Sequence, residues 1–301
     1  MFSRRHPYLF FILVFSSVSA AFILGTSILI VVSSMDSDLD FGEKVGVVEV
    51  SGVISESREI IEPLNRFRKD ESIKAIVLRI NSPGGGVGPS QEIYREIQKT
   101  IEKKKVIASM GGIAASGGYY IASATDGIVA NPGTITGSIG VIMGFTNFQK
   151  LLEKVGLVPI VIKSGEFKDT GSPVREMTKE EREMLQGFVK RIHQQFVEDV
   201  AKGRKIDKHR VEAIADGRIL TGEEAKALGL VDRIGNLEDA VAWAGKLGGI
   251  EGEVKSIYAK ERKLSLLKYL MESSIRSIMD QIITQAPFAG YLYRPLATEA
   301  G

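Results

Sequence analysis

The chain has 301 residues, of which 44% are hydrophobic and 25% charged, a composition typical of globular proteins that excludes a chain disordered throughout. It carries 39 basic and 37 acidic residues, and the surplus lies in Arg4 and Arg5. The rest of the chain is therefore neutral overall and gives no electrostatic reason to expect a nucleic acid partner. The absence of cysteine excludes disulfides, thiol catalysis and cysteine-ligated zinc.

An uncharged apolar run extends from Leu9 to Val32. It has about the 20 residues that a helix needs to cross the hydrocarbon core of a bilayer. The alternative is a cleaved signal peptide, because Ser19-Ala20-Ala21 resembles a cleavage site. A secretory apolar region is usually only about 7–15 residues long, however, and this run continues past that site. The pattern favours an uncleaved transmembrane anchor over residues 9–33.

The charges that flank this run predict its orientation. Arg4 and Arg5 precede it, whereas four acidic residues follow it within a short distance, namely Asp36, Asp38, Asp40 and Glu43. By the positive-inside rule, residues 1–8 lie in the cytoplasm and the chain from residue 34 onward lies across the membrane. We therefore expect a single-pass protein of the cell membrane with an extracytoplasmic body.

After a polar linker at residues 34–44, strand-like and helix-like stretches alternate through a main domain at residues 45–250. Residues 251–301 are predicted to hold a strand, an amphipathic helix and a tail. The predicted strands are Val45–Ile54, Ala75–Asn81, Val106–Met110, Gly127–Ala130 and Pro159–Lys163. The predicted helices are Glu59–Arg68, Pro89–Lys104, Ser116–Ala124, residues 178–202 and Leu264–Ile283. This alternation predicts an α/β fold with a mostly parallel sheet and flanking helices.

A glycine-rich segment, Asn81–Gly86, follows one of these strands and precedes a helix. Glycines there allow backbone N–H groups to approach a ligand or a negatively charged oxygen. Phosphate binding is disfavoured, because Pro89 occupies the position of the third glycine of a dinucleotide fingerprint and no Lys-Ser/Thr pair follows. A plain tight turn remains the alternative.

A second segment places Ser116 among small residues between a strand and a helix. Such a turn can expose the serine hydroxyl, and the N-terminus of the helix favours a developing oxyanion. It is not the G-x-S-x-G elbow, because Ala114 stands at the first glycine position. The alternative is that Ser116 only caps the helix.

A nucleophilic serine needs a base, and the chain has three histidines. His6 is predicted to lie in the cytoplasm, while His193 and His209 lie in charged, surface-like stretches. A lysine is the better candidate, and Lys168 lies in a third notable segment, Lys163–Pro173. An ordinary lysine has a pKa of about 10.4, so we expect a lysine base to be buried and its pKa to be lowered.

The motifs NSPGGG, MGGIAASGGYYIAS, ANPGTITGSIGVI and KSGEFKDTGSP together resemble the signal peptide peptidase A family in its short, membrane-anchored form. The likeness covers roughly residues 45–245 and includes the downstream motifs GRILTGEEA and LGLVD. It implies the fold shared by Clp-type proteases and crotonases, and a Ser–Lys dyad on Ser116 and Lys168. It also implies that Gly85 and Gly117 supply the N–H groups of an oxyanion hole and that Ser138 orients the lysine amine.

The same resemblance implies a homo-oligomeric ring with shared active sites, no metal or cofactor, and signal peptide remnants and other apolar peptides as substrates. It leaves open whether Lys168 acts within its own subunit or on a neighbour. Three alternatives remain at this point. They are an acyl-CoA hydratase/isomerase-like enzyme on the same fold, a non-catalytic membrane scaffold, and a stomatin-type membrane-protein protease.

Overall fold

The computed structural model describes residue 8 and residues 15–27, 42–259 and 289–292. The chain divides into two compact units, Met1–Gly42 and Glu43–Gly301. Residues 15–27 of the first unit are helical. Among the described residues, no helix is both long enough and apolar enough to cross a bilayer. The ends of the predicted anchor and the predicted helix Leu264–Ile283 lie outside the described residues.

Strands and helices alternate along most of the second unit. Its strands are β1 (Lys44–Ser51), β2 (Ile73–Ser82), β3 (Gly84–Gly86), β4 (Lys105–Ala115), β5 (Gly127–Ala130), β6 (Ile135–Gly137), β7 (Ile142–Met143), β8 (Ile219–Thr221), β9 (Arg233–Ile234), β10 (Lys255–Tyr258) and β11 (Ala289–Leu292). Its α-helices are α1 (Arg58–Lys69), α2 (Val87–Ile101), α3 (Gly117–Ser123), α4 (Gln149–Lys154), α5 (Lys179–Arg204), α6 (Lys208–Glu212), α7 (Gly222–Ala227) and α8 (Leu237–Leu247). A 3₁₀ turn spans Glu166–Asp169.

The main sheet has the strand order β10-β1-β2-β4-β5-β9, and all of these neighbours are parallel. The far end of β4 also pairs in parallel with β6, which in turn pairs antiparallel with β8. The predicted α/β architecture with a mostly parallel sheet is confirmed. A second, antiparallel sheet has the order β3-β11-β7.

Both faces of the main sheet are buried, as expected for a parallel sheet covered by helices. On β1, Val45 and Val47 belong to a core cluster that includes residues of α8, whereas Val48 and Val50 belong to a larger cluster that includes residues of α1, α2, α3 and α5. Side chains on a strand alternate between the two faces, so an almost continuous run of valines fills both cores.

The prediction of a strand at Pro159–Lys163 is wrong. These residues have no regular structure, and the side chains of Ile160 and Ile162 are almost fully exposed. The apolar β-branched run fits a strand pattern, but within residues 42–259 no other strand pairs with it. Strand propensity reflects packing against neighbouring strands more than an intrinsic preference of the backbone.

The helix predicted at residues 178–202 is observed as α5, and it begins at the capping box that its sequence contains. The backbone N–H of Glu181 donates to the Thr178 hydroxyl at 3.2 Å, and the N–H of Thr178 donates to the Glu181 carboxylate at 2.9 Å. Further along, Phe196 packs edge-on against Tyr120 of α3, with 5.0 Å between the ring centroids. The long helix α5 therefore packs against α3, the short helix that follows Ser116.

Candidate active site

Ser116 lies between the end of β4 and the start of α3, and it is buried. Its backbone has φ 55° and ψ −117°, a conformation that costs a residue other than glycine about 1–3 kcal/mol. Two hydrogen bonds hold it there, because its N–H donates to the Gly137 carbonyl and its own carbonyl accepts from Tyr120, both at 2.8 Å. The Ser116 side chain makes no capping bond to α3, so helix capping does not account for this serine.

The glycine strand β3 lies directly beside this turn. A bridge fastens it to Ile54, whose N–H donates to Gly84 at 2.9 Å and whose carbonyl accepts from Gly86 at 2.8 Å. A side chain on Gly85 would meet the Ile54 carbonyl oxygen at 2.1 Å, and one on Gly117 would lie 3.1 Å from the backbone nitrogen of Gly85. The backbones of Gly85 and Gly117 are therefore adjacent, and the Gly85 position has no room for a side chain.

Ser138 follows the end of β6, as Ser116 follows the end of β4, and these two strand ends pair in parallel. Ser138 is buried, has φ 50°, and donates its N–H to the Arg218 carbonyl at 2.7 Å. In the described part of the chain, the third non-glycine residue with positive φ is Lys205, which ends α5 in a left-handed cap. The other two described non-glycine residues with positive φ are thus Ser116 and Ser138, which lie at the ends of two paired strands.

Lys168 lies in the 3₁₀ turn Glu166–Asp169, and its side chain is exposed. Within the described ranges, the Lys168 side chain makes no hydrogen bond or ion pair with another residue. The structure thus groups Ser116, Gly117, Gly85 and Ser138, and it leaves Lys168 outside this group. The burial that was expected for Lys168 is not found in the single chain, since none of the described residues covers its side chain.

The segment at residues 142–167, which we call the apolar arm, leads from the site to this turn. It exposes many large apolar side chains to solvent, namely Ile142, Phe145, Phe148, Leu151, Val155, Leu157, Val158, Ile160, Val161, Ile162 and Phe167. Exposed apolar surface of this extent is typical of a binding surface rather than of a free face.

The strand β11 inserts between β3 and β7 in the second sheet. Tyr291 pairs with Gly85, and Gly290 pairs with both Gly86 and Ile142, all in antiparallel register. An extended backbone from the C-terminal part of the chain therefore lies along the glycine strand. This pairing was not predicted, because neither β3 nor β11 has a strand-like pattern of its own.

Residues 98–251 match the model of Peptidase family S49, and residues 47–131 match that of Clp protease. A provisionally named protease of Synechocystis sp. is 43% identical over 243 residues, which cover 80% of this chain and 88% of that protein. The chain belongs to peptidase family S49. A provisionally named signal peptide peptidase SppA of Enterococcus faecium is 40% identical over 214 residues, or 66% of this chain and 62% of that protein. Protease 4 of Salmonella typhi is 33% identical over 261 residues, which cover 83% of this chain and 42% of the longer protein.

These likenesses confirm the resemblance to the signal peptide peptidase A family and the Clp protease fold. This S49 chain is a serine peptidase. Neither of the two described histidines makes a hydrogen bond to Ser116. His209 is exposed, with its Nδ1 3.1 Å from the Glu212 carboxylate, and His193 of α5 lines a cavity of about 580 Å³.

One residue of this S49 peptidase near the glycines was missed by the sequence reasoning. The Ser90 hydroxyl, in the first turn of α2, is buried without a hydrogen-bond partner among the described residues. It lies 2.8 Å from the point that a side chain on Gly117 would occupy. A serine near the start of a helix is common, so the sequence carried no signal for it.

Proposed function

We propose that this S49 peptidase is a membrane-anchored endopeptidase with a Ser–Lys dyad, in which Ser116 is the nucleophile and Lys168 the general base. The observation that carries the proposal is the backbone of Ser116, which is held at positive φ in a buried strand-to-helix turn beside Gly85 and Gly117. Strained backbone conformations of this kind concentrate at active sites.

In the proposed acylation step, the neutral amine of Lys168 takes the proton of the Ser116 hydroxyl as Oγ attacks the carbonyl carbon of the peptide. The N–H groups of Gly85 and Gly117 donate to the resulting oxyanion. When this intermediate collapses, the C–N bond breaks and the lysine ammonium returns the proton to the leaving amine. A water then gives its proton to Lys168 and hydrolyses the acyl-enzyme, which regenerates Ser116. The hydroxyl of Ser138 orients the lysine amine.

A lysine can act in this way only if its neutral form is populated, and burial is what favours that form. Lys168 is exposed in the single chain, and it follows the apolar arm, which is also exposed. We infer that a second copy of the chain covers both. The enzyme is then a homo-oligomer in which the Lys168 turn of one copy completes the Ser116 site of its neighbour.

The proposed substrates are extended apolar peptides, including signal peptide remnants. The pairing of β11 with β3 supports this, because a peptide backbone in the same position would run past the Gly85 N–H. Backbone pairing with a strand edge gives affinity without demanding a particular sequence.

For the location, we propose a single membrane-spanning segment at residues 9–33, with the N-terminus in the cytoplasm and the catalytic body outside. Arg4 and Arg5 before the apolar run and the acidic residues after it support this orientation. An enzyme anchored in this way meets peptides that remain in the membrane.

The nucleophile is tested by treating the detergent-solubilised full chain with a fluorophosphonate probe and mapping the adduct by mass spectrometry. The adduct is expected on Ser116, and Ser116→Ala is expected to lose both labelling and hydrolysis of an apolar peptide by several orders of magnitude. Ser123→Ala, which changes a buried serine at the other end of α3, is the matched control and should keep most activity. Hydrolysis by Ser116→Ala above that of a mock preparation would refute the assignment.

A further inference from the structure

The turn that carries Lys168 has little regular structure of its own. It consists of four residues, and its backbone bonds are short-range, from Lys168 to Gly165 and from Thr170 to Phe167, both at 3.2 Å. Residues 155–165 before it contain no helix or strand. The position of the turn must therefore depend on side-chain contacts.

Arg175 makes the most extensive of these contacts. Its guanidinium binds the Asp169 carboxylate in a bidentate manner, since Nε donates to Oδ2 at 2.8 Å and Nη2 donates to Oδ1 at 2.9 Å. Nη2 also donates to the Asp169 carbonyl at 3.2 Å. The Lys163 amine donates to the same carboxylate at 2.7 Å. Asp169 follows Lys168 directly in the chain, so these hydrogen bonds fix the backbone of the turn immediately beside the proposed base.

The other side of the same guanidinium binds Glu181 in the first turn of α5. Nη1 donates to Oε2 at 2.9 Å, and Nη2 donates to Oε1. The Glu181 side chain is only 3% exposed, and it also accepts from the Thr178 N–H at 2.9 Å and from the Thr170 hydroxyl at 3.3 Å. One arginine thus joins the lysine turn to a buried, fully hydrogen-bonded carboxylate.

From Glu181, the connection continues along α5 to the helix that follows Ser116. Phe196 packs against Tyr120, whose hydroxyl donates to Asp199. A side chain on Gly203 would meet the Ser123 carbonyl oxygen at 2.1 Å, which shows how closely the two helices approach. The C-terminal half of α5 therefore contacts α3, and the N-terminal end of α5 is joined to the Lys168 turn.

We propose that Arg175 is a positioning residue for Lys168, acting through Asp169 and anchored on Glu181. This proposal rests on the proposed role of Lys168 as general base. It holds whether the lysine completes the site of its own chain or of a neighbour, because the bridge lies within one chain. Lysine cannot replace Arg175 fully, since an ammonium lacks the planar fork that binds two carboxylates at once.

The charges around the turn predict a shift in the pH dependence of activity, which simple loss of structure would not produce. Arg175 and Lys163 balance Asp169 and Glu181, and Glu166 is the remaining acid of the turn. Hydrogen bonds from Arg175 and then Lys163 hold the pKa of Asp169 well below its ordinary value. Those from Arg175 and from the backbone of Thr178 lower the pKa of Glu181 to about 2. Both carboxylates are therefore ionised wherever a lysine base would titrate.

Removing Arg175 leaves a surplus negative charge beside Lys168, which favours the ammonium form and moves the rising limb of activity to higher pH. Removing the negative charge of Asp169 has the opposite effect: it disfavours the ammonium form of Lys168 and moves the rising limb of activity to lower pH. Each shift is expected to be about 0.5–1 pH unit, given one partly exposed charge nearby.

The test uses the full chain in detergent and measures kcat and KM for an apolar peptide, together with the rate of fluorophosphonate labelling, from pH 5 to 10. Arg175→Gln is expected to lower kcat about tenfold or more, as misplacement of a catalytic group does, with KM changed less than about twofold. Arg175→Lys should recover part of the loss. Arg58→Gln, which removes an exposed Arg–Glu pair on α1, is the matched control and should behave as the unmodified enzyme.

Opposite shifts of the limb in Arg175→Gln and Asp169→Asn support the proposal. A kcat of Arg175→Gln within twofold of the Arg58→Gln control, or limbs that move in the same direction or not at all, would overturn it. If Arg175→Gln does not fold, the limb of Asp169→Asn decides alone. Failure of the dyad itself would appear separately, as labelling that persists in Ser116→Ala or as activity that persists in Lys168→Arg.

Discussion

At the scale of single residues, the strained serine is the informative feature of this peptidase. Ser116 and Ser138 both have positive φ. Each is held by a hydrogen bond from its N–H to the carbonyl of a residue distant in the chain, Gly137 for Ser116 and Arg218 for Ser138. The surrounding fold therefore imposes the conformation of each. A small neighbour such as Gly117 suggests such a turn, but a backbone angle depends on contacts that are distant in the chain.

If Lys168 is the base, activity should rise with pH along a limb centred at about pH 7–8.5 rather than above 10. The sign follows because the protonated amine cannot accept the serine proton. Lys168→Arg should be inactive, since guanidinium stays charged. Lys168→Ala should also be inactive, with little change in thermal stability of the single chain, because the lysine has no ion pair within the described residues. The measurements are kcat/KM from pH 5 to 10 and a thermal melt.

Two results would contradict this prediction. One is activity of Lys168→Arg above a few per cent of the unmodified enzyme, and the other is a limb that follows an unshifted lysine. In either case His193, which lines a cavity beside α5, would be the next residue to test.

At the scale of elements, the short second sheet joins the glycine strand to both the apolar arm and the C-terminal part of the chain. Because β11 occupies the edge of β3, it competes with any peptide that would pair with Gly84–Gly86. A competitor on the same chain acts at a high effective concentration.

Truncation after Pro287 removes β11 and is therefore expected to lower KM for an apolar peptide several-fold while kcat stays the same. Truncation after Arg294 keeps β11 and is the matched control, which should leave KM unchanged. Steady-state kinetics of both chains decide the point. An unchanged KM after removal of β11 would mean that this strand and the substrate do not share the edge of β3.

At the scale of the whole molecule, the exposed arm and the exposed lysine turn are the basis for the proposed assembly. Ser116 is buried with the glycines, while the Lys168 side chain is exposed and is not covered by any of the described residues. Burying the arm against a second copy removes apolar side chains from water, the main favourable term in association. The same burial would favour the neutral amine that the reaction needs.

Co-assembly of Ser116→Ala with Lys168→Ala chains tests whether the dyad forms between copies. Each variant alone is expected to be inactive. A mixture should regain up to about a quarter of the activity of the unmodified enzyme, because a random ring pairs an intact serine with an intact lysine at one site in four. No recovery in mixed assemblies, verified by native mass spectrometry, would place both residues of a working site in one chain.

Much of the fold follows from local patterns. The alternation of β-branched runs with amphipathic stretches predicts the parallel sheet, and Thr178 with Glu181 predicts the start of α5, because these signals reside in neighbouring residues. Motifs around Ser116 and Lys168 likewise identify the candidate site and the peptidase family. Pro159–Lys163 shows the limit of such reasoning, since its pattern fits a strand but no other strand pairs with it among the described residues.

Sequence alone thus determined the class of fold, the chemistry of the candidate nucleophile and the segment that holds the candidate base. Tertiary structure alone decided that Gly85 lies against Gly117, that β11 inserts beside β3, and that Arg175 bridges Asp169 and Glu181. The reason is physical: periodicity, capping and composition act between near neighbours in the chain. Strand edges, backbone strain and the exposure of Lys168 depend on which distant segments come to lie side by side.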